Sequence, residues 1–302
     1  MLGYIKDLLD PHMPELEKVS LLQEMESMTP TPESLAEVVL FIKKTQTFGF
    51  AYPNAIDFVG TWGSGLPRIN ISTPVAVLLS RLWHTVAKHG NNASSWRVWS
   101  FDVLEQLDYP IPQNDDELRS ALASSHLVFL HAKKFYPIMR HVAWARKAYW
   151  KPTIFNLLWP LLHPLDLDYQ VIWCSDEQYM HLMARTSHIL WRKYIYVIRG
   201  HNWLDKVTLT WPTKVISLKN GILTEFDVQP EDFWFATIAH FDQIAWWDLE
   251  QNLSIVRSIL DGTCTTAHAD LIAANWALAL HLLWAVSDLK QWAKLMQQAM
   301  SL

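Results

Sequence analysis

Apolar positions in the first fifty residues recur at helical spacing. They run from Ile5 to Leu9 and from Leu16 to Met28. After a restart at Thr31-Pro32-Glu33-Ser34 they place Leu35, Val38, Val39 and Ile42 on one face. Proline at the second position of that restart suits a first helical turn. Beyond Tyr52-Pro53 the pattern changes to short apolar runs alternating with helical segments. It predicts strands at Ala55 to Val59, Thr85 to Ala87, Leu127 to Leu130, Gln170 to Trp173, Tyr194 to Ile198 and Lys214 to Ser217, and helices over Thr73 to Leu82 and Ser100 to Leu107. Strands separated by helices imply an α/β fold with a mostly parallel central sheet covered by helices. The longest apolar run, Leu271 to Val286, carries Asn275 and His281 and falls short of a membrane span, so it predicts a buried helix.

Of 302 residues, 50% are hydrophobic and 18% charged, enough to bury a large core. A formal net charge of −5 argues against nucleic acid, which needs a basic face. Any bound anion must therefore be held by local groups. Cys174 and Cys264 are too few and too far apart for a disulfide framework or a cysteine zinc site, and both are expected to be buried thiols in a reducing cytoplasm. The opening MLGYIKDLLDPHMPELEK places acids and prolines where a secretion signal needs an unbroken apolar stretch. Glycine stands out by its scarcity, at 9 of 302 residues against a usual share of about seven per cent, while tryptophan reaches 17.

The stretch most informative about chemistry is Asp57-Phe58-Val59-Gly60-Thr61-Trp62-Gly63-Ser64-Gly65, followed by Arg68 to Thr73. A strand ends in a glycine-bearing loop and a helix opens at Ser72-Thr73, an arrangement that lets backbone N–H groups and a helix N-terminus meet phosphate oxygens. Val86 to Ser95 repeats the style, a strand running into a polar loop with Lys88 as a point charge and Asn91 as donor and acceptor. Such loops gather beyond the carboxyl ends of strands in open α/β sheets, where ligands bind. Taken singly, each residue also has a plain reading. Lys88 is an exposed loop lysine, Arg146 a surface charge between Arg140 and Lys147, Asp205 a loop carboxylate and His89 a residue that shapes a loop. His126, His131, His141 and His281 show no spacing that selects a metal.

In order along the chain, NAIDFVGTWGSG, INIST, VAKHGN, SFDVLEQL, VAWARK and TIFNLLWPLLHP resemble the motif series of anthranilate phosphoribosyltransferases. SLLQEMESMTPTPESLAEVV resembles that family's N-terminal helices more weakly. The resemblance implies a small helical domain, residues 1–52 joined by a returning segment near 136–155, set against an α/β phosphoribosyl-binding domain, residues 53–302. It implies transfer of a phosphoribosyl group from phosphoribosyl pyrophosphate to anthranilate, with Mg²⁺, in a homodimer built through the helical domain. Gly60, Thr61, Gly63, Ser64 and Gly65 would cradle the pyrophosphate, Asn70, Ser72 and Thr73 would hold phosphates, and Lys88 would neutralise them. His89, Asn91, Arg146 and Pro160 would line the anthranilate pocket, with the Arg146 fork matched to a carboxylate. Ser72 and Asp205 would sit at the metal. No residue is implied as a dedicated general base. Two alternatives stay open: a pyrimidine-nucleoside phosphorylase, from which TIFNLLWPL separates it, and a non-catalytic nucleic-acid-binding relative of the same fold.

Several positions depart from the family pattern. Ser64 replaces an acid, Asn92 an arginine, and Lys206 a second acid beside Asp205, which puts a two-metal arrangement in question. Trp62, Trp83, Trp96, Trp99, Trp150, Trp159, Trp173, Trp191, Trp203, Trp211 and Trp292 stand where the family has glycine, and Trp234, Trp246 and Trp247 join them. Glycine serves such sites through positive φ or close backbone approach, which an indole opposes. Two readings follow: a gene whose UGA codons mean glycine, or genuine aromatics in a diverged, inactive relative.

Overall fold

The computed structural model describes residues 1–61, 69–90, 103–104, 106–201, 204–238, 248–291, 295–296 and 299. The helices are α1 (Leu2–Leu9), α2 (Glu15–Glu24), α3 (Pro32–Lys43), α4 (Ser72–Arg81), α5 (Asp115–Ser125), α6 (Ala132–Phe135), α7 (Ala143–Tyr149), α8 (Ile154–Leu158), α9 (Met180–Ile189), α10 (Leu249–Leu260) and α11 (Thr266–Leu282). The strands are β1 (Ile56–Gly60), β2 (Val86–Gly90), β3 (Leu127–His131), β4 (Tyr169–Trp173), β5 (Tyr194–Gly200), β6 (Thr213–Lys219) and β7 (Ile222–Val228). They form one seven-stranded sheet in the order β3-β2-β1-β4-β5-β6-β7. β1 to β5 pair in parallel, whereas β6 pairs antiparallel with both β5 and β7.

The predicted helices and strands appear near their expected bounds. Thr31 caps α3 in a reciprocal box with Ser34, and Pro32 fills the first turn. Of the predicted helix Ser100 to Leu107, Val103 and Leu104 are helical, Gln106 and Leu107 form a turn, and the other four residues lie outside the described residues. β7 has no counterpart in the sequence expectation. It is the sheet's edge, largely exposed and carrying Glu225 and Asp227, so its apolar signal is weak. Asn220 and Gly221, both at positive φ (49° and 86°), close the β6–β7 hairpin.

β2 requires a correction. The strand extends through Gly90, so Lys88 and His89 are ladder residues rather than loop residues, and all five of its positions are buried. The reason is lateral: β2 is hydrogen-bonded between β1 and β3, and pairing continues as far as Gly90 opposite His131.

Side-chain alternation divides the interior in two. On one face Ile56, Phe58 and Val86 pack with α4 and α11; on the other Val59, Ala87 and Ile172 pack with α1, α3 and α9. Tyr136, Met139, Val142, Ala145, Tyr149 and Phe155, between β3 and β4, share this second core with the N-terminal helices. α11 is buried along most of its length, as its apolar run requires. Both cysteines are free, but Cys264 is only half-buried, because it lies in the turn before α11 rather than in a core. Among the described residues no helix is long and apolar enough to cross a membrane.

Five tryptophans adopt left-handed backbone: Trp83 (φ 65°), Trp150 (57°), Trp191 (64°), Trp234 (64°) and Trp284 (60°). Trp284 was not among those matched to family glycines. Trp159, with φ −53°, and Trp173, within β4, are not left-handed, and neither is Trp211. Positive φ therefore does not explain those three positions. Trp62, Trp96, Trp99, Trp203, Trp246, Trp247 and Trp292 lie outside the described residues.

Candidate active site

The parallel strands deliver their polar residues to one rim. β1 ends at Gly60, and Thr61 is drawn to the end of β4, its N–H bonding Trp173 O at 2.9 Å and its hydroxyl lying 3.0 Å from Ser175 Oγ. Asn156 Nδ2 reaches Thr61 O at 3.4 Å, so α8 closes over the same corner. A Cβ added to Gly60 would stand 3.6 Å from Asp205 Oδ2, so the carboxylate that follows β5 looks onto the end of β1. Asp205 is 1% exposed, buried rather than a free loop carboxylate, and Lys206 Nζ bonds its Oδ1 at 3.2 Å.

At the start of α4, Asn70 Oδ1 accepts from the Thr73 N–H at 3.1 Å and from Ser72 Oγ at 3.2 Å. Asn252 Oδ1 fixes the Asn70 N–H at 3.1 Å. Asn70 Nδ2 and Thr73 Oγ1 are buried with no hydrogen-bond partner among the described residues. Two idle polar groups at a helix N-terminus fit an absent anionic ligand, since buried polar atoms are rarely left unpaired.

A second polar layer lies under this rim, inside the sheet. Asp57, fully buried, accepts the His89 N–H at 3.0 Å and faces His89 Nδ1 at 2.8 Å; Gln170 Nε2 donates to it at 2.8 Å. Burial alone would raise this carboxyl. His89 and His163, with the bonds from His89 and Gln170, overcome that and hold it well below the usual carboxylate range. Lys88 is equally buried, and desolvation pushes its ammonium down to about 8, against the pull of Asp57. Asp57, His89 and His163 stand close enough to resemble a metal cluster. Their ring nitrogens are already engaged: His89 Nε2 by Trp159 O at 2.9 Å, and His163 by Ala87 O and the Leu165 backbone. Burial drives His163 down to about 3, a neutral structural ring.

Arg146 departs from the surface-charge reading. It is half-buried in α7, stacks its guanidinium over Phe155 and Trp159 at 5.2 and 5.9 Å, and is pushed down to about 10 by burial. No carboxylate pairs with it among the described residues. Pro160 is buried in the 3₁₀ turn Trp159–Leu161 that follows α8. The structure thus brings His89, Arg146 and Pro160 to one segment. Gly63, Ser64, Gly65 and Asn91 lie outside the described residues.

A model of the glycosyl transferase family a/b domain matches residues 52–302. Anthranilate phosphoribosyltransferase from Bacillus subtilis is 31% identical over 265 residues, covering 88% of this chain and 78% of that protein. The chain belongs to the anthranilate phosphoribosyltransferase family. A family structure from Thermus thermophilus superposes with a TM-score of 0.87 at 24% identity, covering 99% of this chain and 89% of that one. A family structure from Saccharomyces cerevisiae, described as a complex with PRPP and Mg, superposes at 0.80 with 21% identity, over 99% and 93% of the two chains.

Within the family frame, the reading of single motifs passed over Gln170, Arg192, His163 and the role of Asp57. One signal was available. A carboxylate inside a fully buried parallel strand, as in Ile56-Asp57-Phe58-Val59, demands partners. The oxygens of Ser72 and Asp205 have the hard character Mg²⁺ prefers, so the donor set fits that ion by type. Lys206, already bonded to Asp205, competes for one carboxylate oxygen.

Proposed function

We propose that the chain transfers the 5-phosphoribosyl group of phosphoribosyl pyrophosphate to the amino group of anthranilate and releases pyrophosphate. One observation carries this above a nucleoside phosphorylase: the half-buried Arg146 guanidinium, without a carboxylate partner among the described residues, stacks over Phe155 and over Trp159, whose carbonyl meets His89. A planar fork in that setting suits an aromatic carboxylate.

In this reading Gly60, Thr61 and the glycine loop Gly63-Ser64-Gly65 follow the pyrophosphate, with the idle groups of Asn70 and Thr73 and the N-terminus of α4 on its phosphates. Lys88 supplies a fixed ammonium from β2. His89, Asn91, Arg146 and Pro160 line the acceptor pocket. Ser72 and Asp205 would hold Mg²⁺, which when bound neutralises the leaving diphosphate. As pyrophosphate departs, positive charge develops on the ribose ring and the amine attacks the anomeric carbon. The protein's part is positioning and electrostatic stabilisation, with no dedicated base.

The helical unit, residues 1–52 with the returning segment near 136–155, is proposed to pair two copies; Leu16 and Trp144, 74% and 51% exposed, offer it an apolar surface. We place the reaction in the cytoplasm, consistent with two free thiols. An assay following loss of anthranilate fluorescence with phosphoribosyl pyrophosphate and Mg²⁺ tests the assignment, with phosphate-dependent thymidine cleavage run alongside. Anthranilate consumption without thymidine cleavage is expected; the reverse result would overturn the proposal.

A further inference from the structure

The end of α8 and its 3₁₀ turn expose a row of backbone carbonyls, as every helix end does. Here three in succession are met by buried side chains. His89 Nε2 lies 2.9 Å from Trp159 O, Gln170 Nε2 donates to Pro160 O at 2.7 Å, and Arg192 Nη2 donates to Leu161 O at 2.9 Å. Further along, Lys43 Nζ donates to His163 O at 3.2 Å and Gln46 Nε2 to Pro164 O at 2.8 Å. These three side chains come from β2, β4 and the turn before β5, and Asp57 on β1 meets two of them, His89 and Gln170.

We propose that Gln170 and Arg192, with the Asp57–His89 pair, are positioning residues that fix the Trp159–Leu161 turn and so set the wall of the acceptor pocket. This rests on the reading of Pro160 as part of that pocket. The two ring nitrogens of His89 face two oxygens, Nδ1 the Asp57 carboxylate and Nε2 the Trp159 carbonyl, so the imidazole bridges β1 and the turn. A rigid wall matters because small displacements of a bound reactant cost large factors in rate.

The test uses Gln170→Leu and Arg192→Met, with Arg192→Lys as the conservative partner. KM for anthranilate should rise on the order of tenfold while KM for phosphoribosyl pyrophosphate moves less than about twofold, and Arg192→Lys should recover most of the loss. Equal shifts in both KM values, or none, would overturn the proposal. Amide hydrogen exchange over residues 154–165 needs no substrate: it should quicken in both variants and stay unchanged in α1 to α3. Unaltered exchange there also overturns it. Faster exchange in a protein that ignores anthranilate would instead count against the assigned reaction.

A different observation carries a second inference. At Gly262, which follows α10, the Gly262 N–H bonds Ile259 O and the Thr263 N–H bonds Ser258 O, with φ at 70°. Trp83, Trp191, Trp234 and Trp284 repeat that pair of bonds at four other helix ends: Trp83 N to Ser80 O with His84 N to Leu79 O, Trp191 N to His188 O with Arg192 N to Ser187 O, Trp234 N to Glu231 O with Phe235 N to Pro230 O, and Trp284 N to His281 O with Ala285 N to Leu280 O. Trp150 N bonds Arg146 O in the single-bond version. These left-handed caps belong to glycine. The other left-handed non-glycine residues are Asp108, His126 and Asn220, types that tolerate the conformation.

We infer that Trp83, Trp150, Trp191, Trp234 and Trp284 stand for glycine in the protein its own cell makes, through UGA codons read as glycine. Peptide mass spectrometry of native protein should find glycine at these five positions; intact indoles there would end the inference. Restoring glycine at all five in recombinant protein should raise Tm, and an unchanged or lower Tm would count against it independently.

Discussion

At the residue scale, backbone conformation and burial decide what a side chain can be. A non-glycine residue in left-handed backbone costs roughly 1–2 kcal/mol. Trp191→Gly should therefore stabilise the protein by about 1 kcal/mol in urea denaturation, since its indole is 72% exposed and contributes little packing. Gly262→Trp should cost a similar amount, which the same titration checks. Lys88 shows the effect of burial on charge. Desolvation lowers its folded pKa to about 8, below its value in the unfolded chain, so the cost of burying the ammonium is present below pH 8 and is relieved as pH climbs towards the unfolded value. Substrate-free protein should gain stability over that interval, and Lys88→Met should abolish the gain. The ammonium disappears from the site over the same interval. KM for phosphoribosyl pyrophosphate should thus rise above about pH 8 in the parent and stay flat in Lys88→Met, as initial rates across pH would show.

At the element scale, the site depends on contacts between segments distant in sequence. Asn275, inside the apolar run of α11, donates to Val207 O at 3.1 Å and accepts the Val207 N–H at 3.1 Å, tethering the segment that carries Asp205. Asn275→Leu keeps the helix apolar but strands two buried backbone groups, at a cost of about 1–3 kcal/mol. KM for phosphoribosyl pyrophosphate should increase while KM for anthranilate holds; equal increases would show general loosening instead. The apolar periodicity of α11 was plain in the sequence, yet nothing in that periodicity says why one position carries an amide. β7 makes the complementary point, since its exposed, charged face hides a strand that pairs fully with β6.

At the scale of the whole molecule, a chain of net charge −5 is proposed to hold a strongly anionic substrate. The structure accommodates this by burying cations locally: Lys88 and Arg192 are buried and Arg146 half-buried, with Asp57 and Asp205 buried as partial balance. Local concentration without a basic face predicts no retention of duplex DNA in a gel shift at physiological salt, and a shift that vanished with rising salt would contradict it.

Helix and strand periods, the strand–loop–helix at Asp57 to Thr73 and the ordered motifs were legible in the chain, because each depends on neighbours a few residues apart. The α/β class and the family follow from them. Tertiary structure alone decided the rest. Sheet pairing turned Lys88 and His89 from loop into strand, strand alternation put Asp57, His89 and Gln170 on the face that packs against α1, α3 and α9, and packing brought Arg146 against Phe155. The Asp57 carboxylate and the Gln170 amide, 113 residues apart, and the Arg192 guanidinium beyond them acquire a common task only when the sheet sets β1, β4 and β5 side by side, and linear spacing holds no record of that adjacency.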